Sequence, residues 1–510
     1  MALPAQSLDL IGVTLLRAMT TNLDGSGIRV AQPEASLSAS APIWEVNPAN
    51  TGQPAARFTF ISAAGSTNVY PNSLSANSWH ADAVGNNFYG ITNGVAINVA
   101  HVDNFDADYF VNTYVFSNLM VLDDLVVNQS FTFSEQSVGD QQQIDSAYDD
   151  YSTQYKIIFV SAANNYGTYN PPGSYNTTNV VPPGTAYNCI SVGAYTNAAY
   201  YNSIGPTIDN GRCKPDITAS ASATSFSTPQ VAGAVAVLMQ AGLRGDGGSD
   251  TNAASDMRTI KALLLNGAVK PAGWTNSTSS PLDARYGAGI LNVFNAYEQL
   301  AGGKQNFCAA NFTAIGDAHP PVAATNSIAG SGGWDFNTNS TTATNDAVNH
   351  YFFNVPSGTV SATLVWNRQL GATNINDLDL FLFDVANSNL VACSTSLVDN
   401  VEHIFVPQLA SGRYDLQILK NGGTNVVSGS ETYALAWAFV APTLSLEKSG
   451  ANIALTWPVY PAGFTVVTTT NLAPANWTAL TDVPIVITNQ QNWLQLDPTN
   501  ANQFFRLREP

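Results

Sequence analysis

The feature that most constrains this chain is a change of texture near residue 302. Before it, apolar β-rich runs such as "GIRVA", "GVAINVAHV", "DLVVNQSF", "YKIIFVSAA" and "NCISVGAY" are separated by longer segments. Runs that are apolar throughout read as strands buried on both faces. Their alternation with helical stretches predicts an α/β unit with a parallel sheet over residues 1–302. Two helices are legible late in this part. "TPQVAGAVAVLMQAGLR" opens with Pro229 near its first turn and is apolar on most faces. "DMRTIKALLLNGAV" has amphipathic spacing and stops near Asn266-Gly267.

After "EQLAGGKQ" the runs shorten and alternate: "HYFFNV", "SATLVWN", "DLDLFLFD", "HIFVPQL", "RYDLQIL" and "TYALAWAFV". Period-two alternation in closely spaced runs predicts a β-sandwich over 303–441. Pro442 follows the last run, and "ANIALTWP", "GFTVVTTT", "NWLQLD" and "QFFRLR" predict a small all-β module over 442–510.

Charge narrows the partners. The 510 residues include 18 basic and 36 acidic side chains, a net charge of −18, so no basic excess exists to neutralise nucleic-acid phosphates. No stretch of 18 apolar residues predicts a membrane span. Only 11% of residues are charged, so Asn, Gln, Ser and Thr must carry the polar surface, a composition expected of a secreted protein. The opening "MALPAQSLDLIGVTLLRAM" lacks a signal-peptide pattern, so a secreted chain would be present here in its mature form. Cys189 and Cys213 lie in one region, and Cys308 and Cys393 in another. No CxxC spacing suggests zinc, and two disulfides, one per region, are expected.

A nucleophilic serine needs a nearby base and preformed donors for the oxyanion, and a helix N-terminus supplies such donors. Ser225 lies just before the helical run beginning at Thr228. "KPDITASASATSFSTPQVAGAVAVLMQ" resembles the nucleophile block of the subtilisin-like serine peptidases. Lys214, Pro215, Asp216, Ala219, Thr224, Ser225, Ser227, Pro229, Val231 and Gly233 fit its pattern, with Ala223 in place of a usual Gly. The resemblance extends over roughly residues 25 to 302 and implies a subtilisin-like parallel sheet and a serine endopeptidase acting through an acyl-enzyme. The roughly 26 residues before the first strand are too few for the family's inhibitory prodomain, which the resemblance implies has been removed.

His80 in "SWHADAV" matches the family's base block through Ser78, His80, Ala81 and Val84, whereas His101 sits in an apolar run and reads as a strand residue. "GSGIRVAQPEAS" resembles the family's first strand, with Glu34 where an Asp is usual. Glu34 is the first candidate for the acid that orients His80, and Glu45 and Asp82 are alternatives. "SAANNYG" resembles the oxyanion segment and implies Asn165 as donor, with the Ser225 N–H as companion. Asn164 there replaces a Gly, which a left-handed backbone tolerates. The resemblance also implies substrate contacts from the segment Gln129, Ser130, Phe131 and Thr132 and from Ala162, Ala163 and Asn164. No cofactor is implied for the chemistry. The 303–441 unit resembles the C-terminal jelly-roll of some subtilisin-like peptidases, where Asp377, Asp379 and Asp384 are candidate Ca²⁺ ligands. The last module is a candidate for surface or glycan contact. Glu for Asp, Ala223 for Gly and Asn164 for Gly leave open another reading: a weak or inactive protease fold serving as a surface or matrix binding scaffold.

Overall fold

A computed structural model describes residues 8–37, 43–68, 70, 77–134, 136–165, 179–196, 199–200, 202–424, 426–440, 443–458, 464–488, 491–497 and 502–508. The first unit is built on one sheet. Its strands are β1 (Arg29–Glu34), β2 (Phe58–Ile61), β3 (Thr67–Asn68), β4 (His101–Asp106), β5 (Val126–Gln129), β6 (Ile158–Ala162), β7 (Ile190–Thr196), β8 (Ala199–Tyr200) and β9 (Ile217–Ser220). The order is β3-β2-β4-β1-β5-β6-β7-β8, with β9 also on β7. The pairings that join β2, β4, β1, β5, β6, β7 and β9 are all parallel. Pro33 sits inside the central strand β1, yet β1 pairs with β5 only at Val30 and Ala31. The missing N–H therefore breaks no ladder on that side.

Alternate residues of these strands feed two cores. Val30, Val126, Ile158, Val160 and Ile217 face one side, with the helix Thr224–Arg244. Ala31, Val127 and Phe159 face the other, with Tyr148 and Tyr151 of the helix Val138–Tyr155. The Thr224–Arg244 helix has almost no solvent face, because Val231 through Met239 are all buried. It begins earlier than expected, so Pro229 lies inside it rather than in its first turn. The run "GVAINVAHV" becomes a strand only at His101. Val95, Ala96 and Val99 are buried in the preceding turns instead, and a Cβ on Gly233 would meet the Val95 Cβ at 2.6 Å. Glycine at 233 thus lets helix and loop touch, and burial rather than strand pairing explains why the run is apolar.

The second unit stacks two antiparallel sheets. One orders Ala309–Ala314, Asn345–Val355, Gly412–Lys420, Leu378–Asp384 and Asn389–Ser394. The other orders Gly332–Ser340, Ser430–Val440, Gly358–Trp366 and Val401–Leu409. Val360, Ala362 and Leu364 face Tyr351, Leu380 and Leu416 across the sandwich. The opposite face of that second sheet is buried as well. Trp334, Val365, Val401, Ala434 and Ala436 join the core of the α/β unit. Between them, Ser361 and Thr363 donate to Asn266 Oδ1 at 2.8 and 3.0 Å, at the end of the helix Met257–Gly267. Arg368 adds an ion pair to Asp149 at 2.9 Å, and its backbone N–H and C=O both bond the Asn188 amide. The third unit has its own small core of Leu455, Trp457, Val466 and Leu494. No helix among the described residues is long and apolar enough to cross a membrane.

The expected disulfides are absent: all four cysteines are free. Cys189 is buried in the core on one sheet face, whereas Cys213 packs against the core on the other. Cys308 directly precedes one edge strand of the five-stranded sheet and Cys393 lies on the opposite edge strand. Four strand spacings separate those edges, about 19 Å, far beyond the ~7 Å Cα limit of a disulfide.

Because the α/β unit and the sandwich share a core, they should unfold together. Urea unfolding followed by tryptophan fluorescence and by far-ultraviolet circular dichroism should give one coincident transition for both units. A separate sandwich transition would contradict the shared core.

Candidate active site

Four segments converge at the C-terminal ends of the parallel strands, the usual position of a site in an open α/β sheet. Glu34 ends β1, Ser130 follows β5, Ala163 to Asn165 follow β6, and Ser225 follows β9 by five residues. His80 comes from the first turn of the helix Trp79–Phe88. Ser78 caps that helix by accepting from the Ala81 N–H, so the match at Ser78 has a structural cause.

His80 Nδ1 lies 2.8 Å from Glu34 Oε2. Glu34 is 1% exposed, while the His80 side chain keeps 19% of its surface. Burial lowers the His80 pKa, but the hydrogen bond and charge of Glu34 outweigh it and leave the value above that of an ordinary histidine. The alternative acids are elsewhere. Asp82 accepts from the Asn47 N–H at 2.6 Å and from the side chains of Asn50 and Asn77. Glu45 joins this region through its backbone, accepting the Ser78 N–H at 2.8 Å. His101 bonds Thr59 and Asp103 at the other end of the sheet.

Ser225 is the second residue of its helix. In that first turn the Thr224 N–H donates to Asn165 Oδ1, and the Phe226 and Ser227 N–H groups donate to Ala223 O. The Ser225 N–H has no such partner among the described residues. Asn165 Oδ1 also accepts the Thr224 hydroxyl at 3.0 Å, which fixes which end of the amide is oxygen. Asn164 has φ +87°, the left-handed conformation that a glycine would take at no cost. Tyr166 and Gly167, part of the same expected segment, lie outside the described residues.

Pro229 has a consequence here. In a helix its N–H would bond the Ser225 carbonyl four residues back, and proline has none. The Ser225 carbonyl instead accepts the Ser130 hydroxyl at 2.9 Å, and the Ser225 hydroxyl donates to Ser130 O at 3.3 Å. Two bonds thus tie the segment after β5 to the start of the helix. The His80 ring lies 6.0 Å from the ring of Phe226, the residue after Ser225, so the His80 helix meets the start of the Ser225 helix.

Of the expected substrate residues, Phe131 and Thr132 are half-buried. Ala162 and Ala163 are buried and offer only backbone. Gln129 is fully buried, and its amide bonds Tyr148 and Ser161. Its side chain is therefore a core group and not a substrate contact, which corrects the expectation for that residue.

The three aspartates proposed for Ca²⁺ do not meet. Asp377 and Asp379 flank the start of the strand Leu378–Asp384, and both accept from the Asn421 amide at 2.9 Å. Asp384 is at the far end of the same extended strand, bonding Ala386 and Asn387. No group of three metal-ligating side chains occurs among the described residues. Burial raises the Asp377 pKa to about 6 and that of Asp379 to about 7.

Two contacts were not anticipated from the sequence. The Gln32 side-chain amide donates to Glu34 Oε1 at 2.9 Å, and the Tyr89 hydroxyl donates to Gln32 Oε1. The signal was available, because residues two apart on a strand share a face.

Residues 123–289, which contain Ser130, Asn165 and Ser225, match the model of the subtilase family. The matched residues make up about a third of the chain and lie within its α/β unit. Glu34 and His80 lie outside the matched residues. Among solved structures, the chain is similar to the prenylagaramide maturation protease PagA, with 16% identity and a TM-score of 0.38 over 57% of this chain and 99% of that one. It is similar to the CspB protease of Clostridium perfringens, with 13% identity and a TM-score of 0.43 over 58% and 99%. A third likeness is to tripeptidyl peptidase 2, with 14% identity and a TM-score of 0.33 over 76% of this chain and 42% of that one. The family match supports a serine-type peptidase, whose substrate is a polypeptide.

The left-handed backbone at Asn164 has a measurable cost. Asn164→Gly should leave thermal stability unchanged or raised, and Asn164→Val should lower it by about 1–2 kcal/mol.

Proposed function

We propose that this protein is a secreted serine endopeptidase that cleaves peptide bonds with a Glu34–His80–Ser225 triad through an acyl-enzyme. The observation that carries this reading is the buried Glu34 carboxylate at 2.8 Å from the Nδ1 of a largely buried histidine, on the rim of strands that also presents Ser225. Glu34 holds the imidazole in the tautomer with Nδ1–H, which leaves Nε2 as the base. The Ser225 hydroxyl turns from Ser130 O to Nε2, loses its proton to His80 and attacks the carbonyl carbon. His80 then protonates the leaving amine, and water repeats the cycle on the ester. The Ser225 N–H and Asn165 Nδ2 are assigned to the oxyanion. The Thr224 bonds to Asn165 Oδ1 support that assignment, because they make Nδ2 the donor end. An extended peptide would lie along Ser130 to Thr132 and Ala163 to Asn164, pairing by backbone. Secretion rests on the low charged content, 11% of residues.

We also propose Asp377 and Asp379 as part of a Ca²⁺ site, without Asp384. Each has a buried Oδ1 with no hydrogen-bond donor among the described residues, the oxygen chemistry a hard cation takes. The sign of their pH effect follows. Their folded pKa values lie above the usual 3.8, so without a cation the folded state binds more protons than the unfolded chain. Stability should then be greatest below about pH 4 for these two groups and be lost as pH rises through 6 to 7. Added Ca²⁺ should raise Tm at pH 7.5 in the wild type and not in Asp377→Asn/Asp379→Asn. An equal rise in both would remove the site.

Casein hydrolysis and fluorophosphonate labelling test the triad. Ser225→Ala should lose both, with turnover down by about 10⁴-fold or more. Asn165→Ala should lose about 10²–10³-fold in kcat. Glu34→Gln should lower kcat and move the acid limb of kcat/KM to lower pH, because burial alone then acts on His80. A wild type that neither cleaves casein nor labels would overturn the peptidase reading in favour of a binding scaffold. Activity that survives Glu34→Gln with its pH limb unmoved would assign the acid elsewhere.

A further inference from the structure

A glutamate in place of an aspartate brings one more rotatable bond to the acid. Something must then keep its carboxylate on the histidine. The neighbours of Glu34 supply a chain of contacts that reaches the histidine's own helix by two routes. Gln32 lies on the same face of β1, two residues before Glu34, and is fully buried. Its amide nitrogen donates to Glu34 Oε1 at 2.9 Å, the oxygen that does not face His80. The same nitrogen donates at 3.0 Å to the carbonyl of Ala81, the residue after His80. Its amide oxygen accepts the hydroxyl of Tyr89, at the C-terminal end of the His80 helix. Tyr89 is itself fully buried. Gly85 makes room for it, since a Cβ there would come within 2.8 Å of the Tyr89 hydroxyl oxygen.

We propose that Gln32, held by Tyr89, is the positioning residue that makes a glutamate serviceable as the acid of this triad. The inference rests on the Glu34–His80–Ser225 reading above. Both hydrogens of the Gln32 amide are used, one on the acid and one on the backbone of the base, so one side chain sets the distance between them. The Tyr89 hydroxyl, a donor, fixes the amide the right way round. A reversed Gln32 would set its oxygen against the Glu34 carboxylate and the Ala81 carbonyl, two repulsive contacts. Burial pushes the Tyr89 pKa well up, so the hydroxyl remains a donor at all working pH values. The charged and titratable groups near this chain are Glu34, His80 and Asp82, and Asp82 is occupied by Asn47, Asn50 and Asn77.

Gln32→Met keeps length and removes the donor. It should lower kcat by roughly ten- to a hundredfold with KM nearly unchanged, as expected of a misplaced catalytic group. It should also move the acid limb of kcat/KM to lower pH, because a loosened Glu34 raises the His80 pKa less. Tyr89→Phe removes only a hydroxyl from a buried ring and should shift both quantities in the same direction by a smaller amount. It serves as the second variant where Gln32→Met folds poorly. The decisive comparison adds Gln32→Met to Glu34→Gln. If Gln32 acts through Glu34, the double variant should be no slower than Glu34→Gln alone. Independent, multiplying losses in the double variant would overturn the inference. So would a Gln32→Met or Tyr89→Phe enzyme with wild-type kcat and pH profile while Glu34→Gln is impaired. Failure of the triad reading would look different: Glu34→Gln itself would then be active with an unmoved limb.

Discussion

The structure depends on burying one helix, Thr224–Arg244, on nearly every side. It lies against β5, β6, β7 and β9 and against the helices at Trp79–Phe88 and Val293–Ala301. Each Val, Leu or Met side chain it removes from water contributes roughly 1.5–3 kcal/mol. The same burial decides where Ser225 sits. A helix gripped along its length cannot shift along its axis, so its N-terminus and the Ser225 N–H are held at the strand ends. Pro229 then couples this anchor to the cleft. By withholding one N–H, it frees the Ser225 carbonyl for the Ser130 hydroxyl, and the helix start and the segment after β5 become one rigid piece.

A second layer of constraint is electrostatic and lies beneath the sheet edge. Asp216 of "KPD" is fully enclosed, meets Lys214 at 2.8 Å and Lys261 at 3.2 Å, and accepts the Ser191 N–H at 2.7 Å. Burial alone would raise its pKa, but the two lysines reverse the effect and hold it below the ordinary value. Removing one partner from such a group leaves a buried charge, so these residues act as a unit. Lys261 comes from the helix Met257–Gly267, whose other side carries the sandwich. The ion network thus links the strand leading to Ser225 with the surface on which the second unit is docked.

The sandwich is joined to the α/β unit as a core is joined to itself. Its second sheet is buried on both faces, which is why Gly358–Trp366 reads as continuously apolar or small. Polar groups in that joint are matched pairwise: Asn188 with Arg368, Asn266 with Ser361 and Thr363, Asp399 with the Cys213 N–H. A joint of this kind, with a shared apolar core and paired polar groups, removes the freedom that a linker would allow.

Much of this was legible in the text of the chain. The parallel sheet, the later antiparallel units and the buried helix follow from periodicity, which depends on residues near one another, whereas the candidates Ser225, His80 and Glu34 came from the resemblance of their segments to those of the subtilisin-like peptidases. Asn164 was legible as a left-handed position because few other side chains tolerate it. What failed was whatever needed a distance across the fold. The cysteines were paired by region, yet opposite sheet faces and opposite sheet edges keep them apart. Asp384 was grouped with Asp377 and Asp379, yet an extended strand carries it away. The run at 94–100 looked like a strand because it is apolar, and only its contact with Gly233 explains why. Gln129 looked like a substrate contact, but the alternation of β5 turns its side chain inward. Sequence by itself determined most of the strands and helices and supplied Glu34, His80 and Ser225 as candidates. The tertiary structure alone decided which acid meets His80 and what holds that acid, because both are set by packing between β1 and a helix more than forty residues away.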